Sequence, residues 1–363
     1  MKKIRVAIIF GGKSAEHEVS LQSAKNVYEA INREKYEPVL IGIDKSGKWL
    51  LNSSSEYLLN ADNPQLISLN PLSSRITFVP ESNGEISNLD DLKFIGAIDV
   101  AFPILHGPMG EDGTVQGFLK LANIPFVGSG VLGSALGMDK DVMKRVLRDA
   151  GLPIGRFFAF VDGDVIPTFS EISKTLGVPF FVKPANMGSS IGVSKVNDEL
   201  SYEQAVNLAF SFDLKILIEE FIEGREIECS VLGNRNPIAS VIGEIKPSQD
   251  FYSFNAKYID DKGAALEIPA NISEEASVHA QKIALETFRA LGAEGLARVD
   301  MFLKANGEIL VNEINTIPGF TKISMYPKLW EVSGIGYTDL IDRLIQLAIE
   351  KENREKRLRT SYT

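Results

Sequence analysis

The apolar run Val6–Phe10, halted by Gly11 and Gly12, constrains the fold most. It is shorter than the roughly 7 residues that a signal-peptide core needs, and it reads as a buried first strand. Similar short runs recur at Val39–Ile43 and Ile98–Ile104, separated by helix-like stretches such as the one through Val19, Val27, Ala30 and Ile31. That alternation predicts a parallel α/β unit at the N-terminus. Residues 51–92, rich in Asn, Ser, Pro and Asp, read as a loosely structured insertion with a minor β element around Ile76–Val79. A helix is expected over Ser134–Ala150, with apolar Leu136, Val142, Met143, Val146 and Leu147 and a stop at Gly151.

A smaller α/β unit follows, with strands at Phe180–Val182, Ile191–Val196 and Ile216–Ile218 and a helix near 201–211. The remainder is strand-rich over Glu226–Ile245, looped through Lys246–Leu266, and helical over Ser273–Leu291. A hairpin Leu296–Asn315 and a closing helix Thr338–Glu350 end the fold, with a charged tail expected to fray. The division is therefore 1–125, 126–222 and 223–363, and 363 residues suit two or three domains.

With 44% apolar and 24% charged residues, the chain has the balance of a folded soluble protein rather than a disordered or collagen-like one. No apolar stretch approaches the roughly 18 residues of a membrane helix. The net charge, 38 − 48 = −10, argues against nucleic acid as the main partner. Cys229 is the single cysteine, so there is no internal disulfide framework and no cysteine-built zinc site, and a cytoplasmic location is expected.

Two motifs fail on context. Gly128, Gly130 and Gly133 satisfy G-x-G-x-x-G, but the acidic residue about 20 positions on, Asp149, lies near a helix end instead of a strand tip. Gly11-Gly12-Lys13-Ser14 has Ala7 where a P-loop needs its first glycine.

The hairpin is more informative. If Asn306-Gly307 forms a two-residue type I′ turn, facing residues have numbers that sum to 613. Asp300 then opposes Glu313, Arg298 opposes Asn315, and all four side chains share one face, on which Val311 also falls by parity. Facing carboxylates repel unless a cation lies between them, and Asp, Glu and Asn oxygens suit Mg²⁺ or Mn²⁺. Arg298 could hold a transferring phosphoryl group, and the Thr316–Thr321 turn could aim N–H groups at an oxyanion. A solvated polar hairpin face is the alternative.

On the other side, Lys183 ends a strand and precedes the small-residue loop Gly188–Gly192, whose N–H groups and hydroxyls could cradle phosphates. Lys140 and Lys144 share a helix face that by itself reads equally as a solvated one. Glu219 and Glu220 end another strand, and Glu226 follows a turn.

Taken together, FGGKSAEHEVS (10–20), HGPMGEDGTVQG (106–117), MDK (138–140), VKP (182–184), GSSIG (188–192), AKY (256–258), RVD (298–300) and EINTIPG (313–319) resemble the ATP-grasp superfamily. Within it, their order and spacing are similar to those of the D-alanine:D-alanine ligase family across nearly the whole chain. The resemblance implies a Rossmann-like parallel-sheet domain followed by a two-part ATP-grasp fold, with ATP between its central and C-terminal α+β units. It implies that Lys140, Lys183, Gly188, Ser189 and Ser190 contact phosphates, that Glu219, Glu220 and Ile222 border the adenine, and that Glu226 meets the ribose. Asp300, Glu313 and Asn315 would ligate two Mg²⁺ or Mn²⁺ ions. Glu16, aided by His106, would take the ammonium of the first D-alanine, and Ser189 and Tyr258 would link to Glu16 to close a loop over the site. Arg298, Gly319 and Ser324 would bind the second D-alanine and the developing oxyanion. The implied role is cell-wall precursor synthesis by a homodimer. Tyr258 favours D-alanine over D-lactate as second substrate. A D-alanine:D-lactate or D-alanine:D-serine ligase and a non-catalytic nucleotide-binding regulator are the rival readings.

Overall fold

The computed structural model describes residues 2–52, 57–61, 63, 66–70, 73–247, 264–359, 361 and 362. The N-terminal part comprises β1 (Ile4–Gly11), α1 (His17–Ala30), β2 (Tyr36–Ile43), β3 (Trp49–Asn52), β4 (Leu58–Leu59), β5 (Ser68–Leu69), β6 (Ser74–Phe78), β7 (Glu85–Asn88), β8 (Phe94–Ala97), β9 (Val100–Ile104) and α2 (Thr114–Leu121). Next come α3 (Val131–Met138), α4 (Lys140–Asp149), β10 (Phe157–Val161), α5 (Phe169–Leu176), β11 (Phe180–Pro184), β12 (Ser194–Val196), α6 (Glu199–Phe210) and β13 (Lys215–Glu220). The last part holds β14 (Arg225–Gly233), β15 (Ile238–Pro247), β16 (Ala264–Glu267), α7 (Glu274–Ala290), β17 (Gly295–Leu303), β18 (Ile309–Asn315), α8 (Met325–Val332) and α9 (Tyr337–Glu355).

The first sheet runs β8-β7-β6-β3-β2-β1-β9, and its parallel part is β2-β1-β9. Val6, Ile8 and Phe10 join one core and Ala7 and Ile9 another, which is why β1 is apolar without alternation. The remaining strands pair antiparallel, so the described residues of 51–92 are more ordered than the loose insertion expected: β6 and β7 extend the sheet there, and β4 and β5 form a small ribbon. β6 is the β element expected around Ile76–Val79, whereas periodicity does not reveal β4, β5 and β7, which are only two to four residues long.

The second sheet, β10-β13-β11-β12, is antiparallel. Its core joins Phe180, Val182, Ile216 and Ile218 to Ile172 and Leu176 of α5 and to Tyr202 and Ala205 of α6. The third sheet, β16-β15-β14-β17-β18, is also antiparallel, with α7 packed on it through Ile283, Ala284 and Phe288.

Two expectations about helices need correction. The single helix over Ser134–Ala150 is broken at Asp139, whose extended backbone (φ −81°, ψ 101°) ends α3. Its carboxylate accepts from the N–H groups of Asp141 and Val142, both at 3.1 Å, as an N-cap does. The apolar pattern runs through the break, whereas the cap residue marks it. The closing helix does not fray after Glu350 but continues to Glu355. Its Lys351 is buried, donates to the Gly128 carbonyl at 2.7 Å and lies 4.1 Å from the centre of the Phe126 ring. Leu340, Ile341, Leu344 and Ile345 of α9 share a core with β1 and α1, so the chain ends packed on its beginning.

The hairpin turn also differs. Lys304 N–H donates to Glu308 O at 2.9 Å and Gly307 N–H to Lys304 O at 2.9 Å, which closes a three-residue loop with only Gly307 at positive φ (+85°). Pairs near the loop therefore sum to 612, as in Leu303 with Ile309 and Met301 with Val311. A bulge at Asn312 restores the 613 pairing for Asp300 with Glu313 and Arg298 with Asn315. Val311 consequently turns into the core, fully buried, and not onto the polar face. An unbulged register would instead have aimed Asn312 at that core beside Ile314.

Among the described residues, no helix is long and apolar enough to cross a membrane.

Candidate active site

The β17–β18 pair brings the four hairpin side chains together as their spacing implies. Arg298 donates to both Asp300 oxygens, at 2.7 Å each, and its Nε lies 2.9 Å from Glu228 Oε2 on the neighbouring β14. Asn315 Nδ2 donates to Asp300 Oδ2 at 3.0 Å, and Lys140 Nζ lies 3.6 Å from Glu313 Oε2. Arg298 and Lys140 thus offset the charge of the facing carboxylates. Among the described residues, no three His, Cys, Asp or Glu side chains are grouped closely enough to hold an ion by themselves. Two carboxylates and the Asn315 amide oxygen fit a hard divalent cation whose shell is completed by water and phosphate oxygens.

A cleft of about 360 Å³ opens between the second and third sheets. Lys140, Lys183, Gly188, Ser189, Ser190, Glu219, Glu220, Ile222, Glu226, Asp300 and Glu313 all line it. The break before α4 aims Lys140 and Lys144 into this cleft, and neither is solvated: they are 8% and 2% exposed. Glu219 is buried between Lys183 Nζ at 2.6 Å and Lys144 Nζ at 3.2 Å. Burial opposes its charge, but the two ammonium groups prevail and hold the carboxyl below its ordinary value. Burial in turn draws the Lys144 amine below its ordinary range, against the pull of Glu219. Glu220 is engaged by Arg156, whose N–H and Nε donate at 2.7 Å each.

In the glycine-serine loop, Ser189 and Ser190 adopt left-handed φ values of +52° and +60°. That backbone directs the Ser189 hydroxyl to Glu16, which it reaches across 173 residues of sequence. Glu16 precedes α1 and is buried. Gly107 and Gly188 approach its Oε2 so closely that a Cβ there would come within 2.9 and 3.0 Å, so both positions need glycine to leave the carboxylate reachable.

The Thr316–Thr321 turn is held from the first sheet. His106 Nδ1 lies 3.0 Å from the Ile317 carbonyl, Glu111 accepts from the Ile317 N–H at 3.1 Å, and the Ser23 hydroxyl accepts from Phe320 N–H at 3.4 Å. Ile317 is therefore held at both its N–H and its carbonyl, which fixes the two adjacent peptide units. Ser324 accepts from Thr321 N–H at 3.0 Å, and a Cβ on Gly319 would lie 3.0 Å from its hydroxyl. Tyr258 lies outside the described residues.

Glu228 and Glu111 are members to which the sequence assigns no role, and Lys144 is one that it leaves open between the cleft and a solvated face. Glu111 stands within the HGPMGEDG stretch, which was the available signal; Glu228 looks like any strand residue until β14 is placed beside β17. Burial, then the nearby charge of Glu16, pushes the Glu111 carboxyl up to about 8. Its folded value exceeds the ordinary 4.5, so the folded state binds more protons across that window and this group makes stability fall as pH rises from about 4.5 to 8. In Glu111→Gln, denaturant unfolding across that range should lose this part of the slope; a slope equal to the parent's would contradict the assignment. Burial lowers the neighbouring His106, which favours the neutral ring at pH 7.

The chain matches the family model described as D-ala D-ala ligase N-terminus over residues 5–129 and that of the D-ala D-ala ligase C-terminus over residues 146–346. It is 56% identical over 364 residues to a D-alanine--D-alanine ligase of Oceanobacillus iheyensis, covering 99% of each chain. Among solved structures, the D-alanine-D-alanine ligase from Coxiella burnetii superposes with a TM-score of 0.85 at 36% identity, covering 98% of this chain and 97% of that one. The VanG D-Ala:D-Ser ligase from Enterococcus faecalis gives a TM-score of 0.84 at 36% identity, covering 96% and 100%.

Proposed function

Because the chain belongs to the D-alanine–D-alanine ligase family and has its ATP-grasp fold, we propose that it joins two D-alanine molecules into D-alanyl-D-alanine, converting ATP to ADP and phosphate, for peptidoglycan precursor synthesis. The observation that carries this reading is the bond from Ser189 to Glu16, which brings the phosphate-cradling loop and a buried carboxylate of the first unit to one point.

A carboxylate and an amine do not condense in water, so the γ-phosphoryl group first converts the carboxylate of the first D-alanine into an acyl phosphate. Glu16, with His106 beside it, holds that molecule's ammonium. Lys140, Lys183 and the backbone and hydroxyls of Gly188, Ser189 and Ser190 hold the phosphates, while Glu219, Glu220 and Ile222 border the adenine and Glu226 the ribose. Asp300, Glu313 and Asn315 would hold one or two Mg²⁺ or Mn²⁺ ions, which supply neutralising charge to the phosphoryl group. The amine of the second D-alanine then attacks the acyl carbon. Arg298 and the Gly319 N–H stabilise the tetrahedral oxyanion, Ser324 orients the incoming molecule, and phosphate departs. Ser189, and with it Tyr258, closes the site against water, which would otherwise hydrolyse the acyl phosphate.

The separate sheets support reading the chain as units 1–125, 126–222 and 223–363; the same family reading carries the proposal of a cytoplasmic homodimer. A D-alanine:D-serine ligase is the second reading, favoured by the VanG superposition. Phosphate release with ATP and Mg²⁺ separates them when D-alanine alone is compared with D-alanine plus D-serine or D-lactate and the products are weighed by mass spectrometry. D-alanine alone should release phosphate and yield D-alanyl-D-alanine. Release only with a mixed pair would move the specificity, and silence throughout would leave a nucleotide-binding regulator.

A further inference from the structure

The loop Ala185–Gly192 carries two serines in left-handed backbone, a strained conformation that persists only where its surroundings hold it. Both ends of the loop are bound by the short turn between α6 and β13. Asp213 Oδ2 accepts both the backbone N–H of Asn186, at 2.6 Å, and the Asn186 side-chain amide, at 3.0 Å. Asp213 Oδ1 accepts from Lys215 N–H at 3.1 Å, so the carboxylate is itself locked in place. At the far end of the loop, Gly192 is so tightly covered that a Cβ would lie 2.7 Å from Pro184 Cγ and 2.9 Å from Phe212 Cδ2. Lys215 then ties the same turn to Asp139, the cap of α4, with Nζ and Oδ2 2.5 Å apart, and so to the helix that bears Lys140 and Lys144.

We propose that Asp213 and Phe212 are positioning residues for the ligase reaction, clamping the entry and the exit of the glycine-serine loop so that Ser189 can seal the site onto Glu16. The inference deepens the ligase reading and rests on it for its chemical readout. Neither residue touches the reacting groups; they act through Asn186 and Gly192. A slack loop both weakens the hold on the nucleotide phosphates and lets water reach the acyl phosphate. Its signature is therefore phosphate released without dipeptide, a leak that lowered stability alone does not produce.

The test measures KM for ATP and the ratio of phosphate to dipeptide in Asp213→Ala, Asp213→Asn and Phe212→Ala, with melting temperature alongside. Asp213→Ala should raise KM for ATP about ten-fold and drive the ratio above one. Asp213→Asn, which keeps an acceptor oxygen, should recover most of both. Phe212, 47% exposed, can be trimmed with little loss of stability, and Phe212→Ala should still raise the ratio. A ratio of one and unchanged KM in Asp213→Ala overturn the clamp, as does equal damage in the Asn and Ala variants. If Asp213→Ala does not fold, a ratio of one in Phe212→Ala overturns it instead. Direct ATP binding keeps the two proposals apart: a parent protein that makes no dipeptide refutes the ligase reading, while a parent-like ATP affinity in Asp213→Ala refutes the clamp.

Discussion

Glu313→Gln should lower turnover roughly 10³-fold while leaving the fold intact. The side chain keeps its size and its place opposite Asp300, and it sits in a polar cleft, not in the core. What is lost is charge: Lys140, 3.6 Å away, loses its counter-ion, and a divalent cation held as proposed would lose one of its two carboxylate ligands. Turnover measured with a Mg²⁺ titration, next to melting temperature, separates these effects. A higher Mg²⁺ requirement with unchanged melting supports the metal role, and parent-like turnover removes it.

Glu16→Gln is expected to act at the other end of the site. Glutamine still accepts a hydrogen bond from Ser189, so the contact between the first unit and the loop survives. The buried negative charge does not. An ammonium ion placed there would lose its partner in a covered position, which costs roughly 10²–10³-fold in kcat/KM for D-alanine. Direct ATP binding should be unaffected. If the variant kept its D-alanine KM, Glu16 would not be the ammonium site.

The chemistry of this chain was more legible than its architecture. Asp300, Glu313, Arg298 and Asn315 could be brought together from strand parity alone, because a two-residue period leaves little freedom once a hairpin is recognised. The hairpin nevertheless closes with a three-residue loop and not the two-residue turn that parity assumes, and the expected pairing holds because the bulge at Asn312 compensates. The spacing Ile309, Val311, Ile314 carried the signal, two residues and then three. Elsewhere the losses share one cause. Hydrophobic period cannot see a break that preserves the apolar stripe, as at Asp139, or strands as brief as Leu58–Leu59, Ser68–Leu69 and Glu85–Asn88. Nor can it separate a solvated lysine from a buried one: Lys144 and Lys351 needed the neighbouring carboxylate and the neighbouring carbonyl to be placed first.

The hairpin also shows how narrowly a reactive surface can be specified. Its strands have two self-consistent alignments, one with a tight turn and no extra residue, the other with a longer loop and one residue to spare. Both put Asp300 across from Glu313. They differ in whether valine or asparagine is sent to the interior at the next step, so the polarity of position 312 is what selects between them. A drift to an aliphatic residue at Asn312 would remove that selection without disturbing a single charged group. The lesion would be conformational heterogeneity at the edge of the cleft in a protein whose chemistry-bearing residues are all still present.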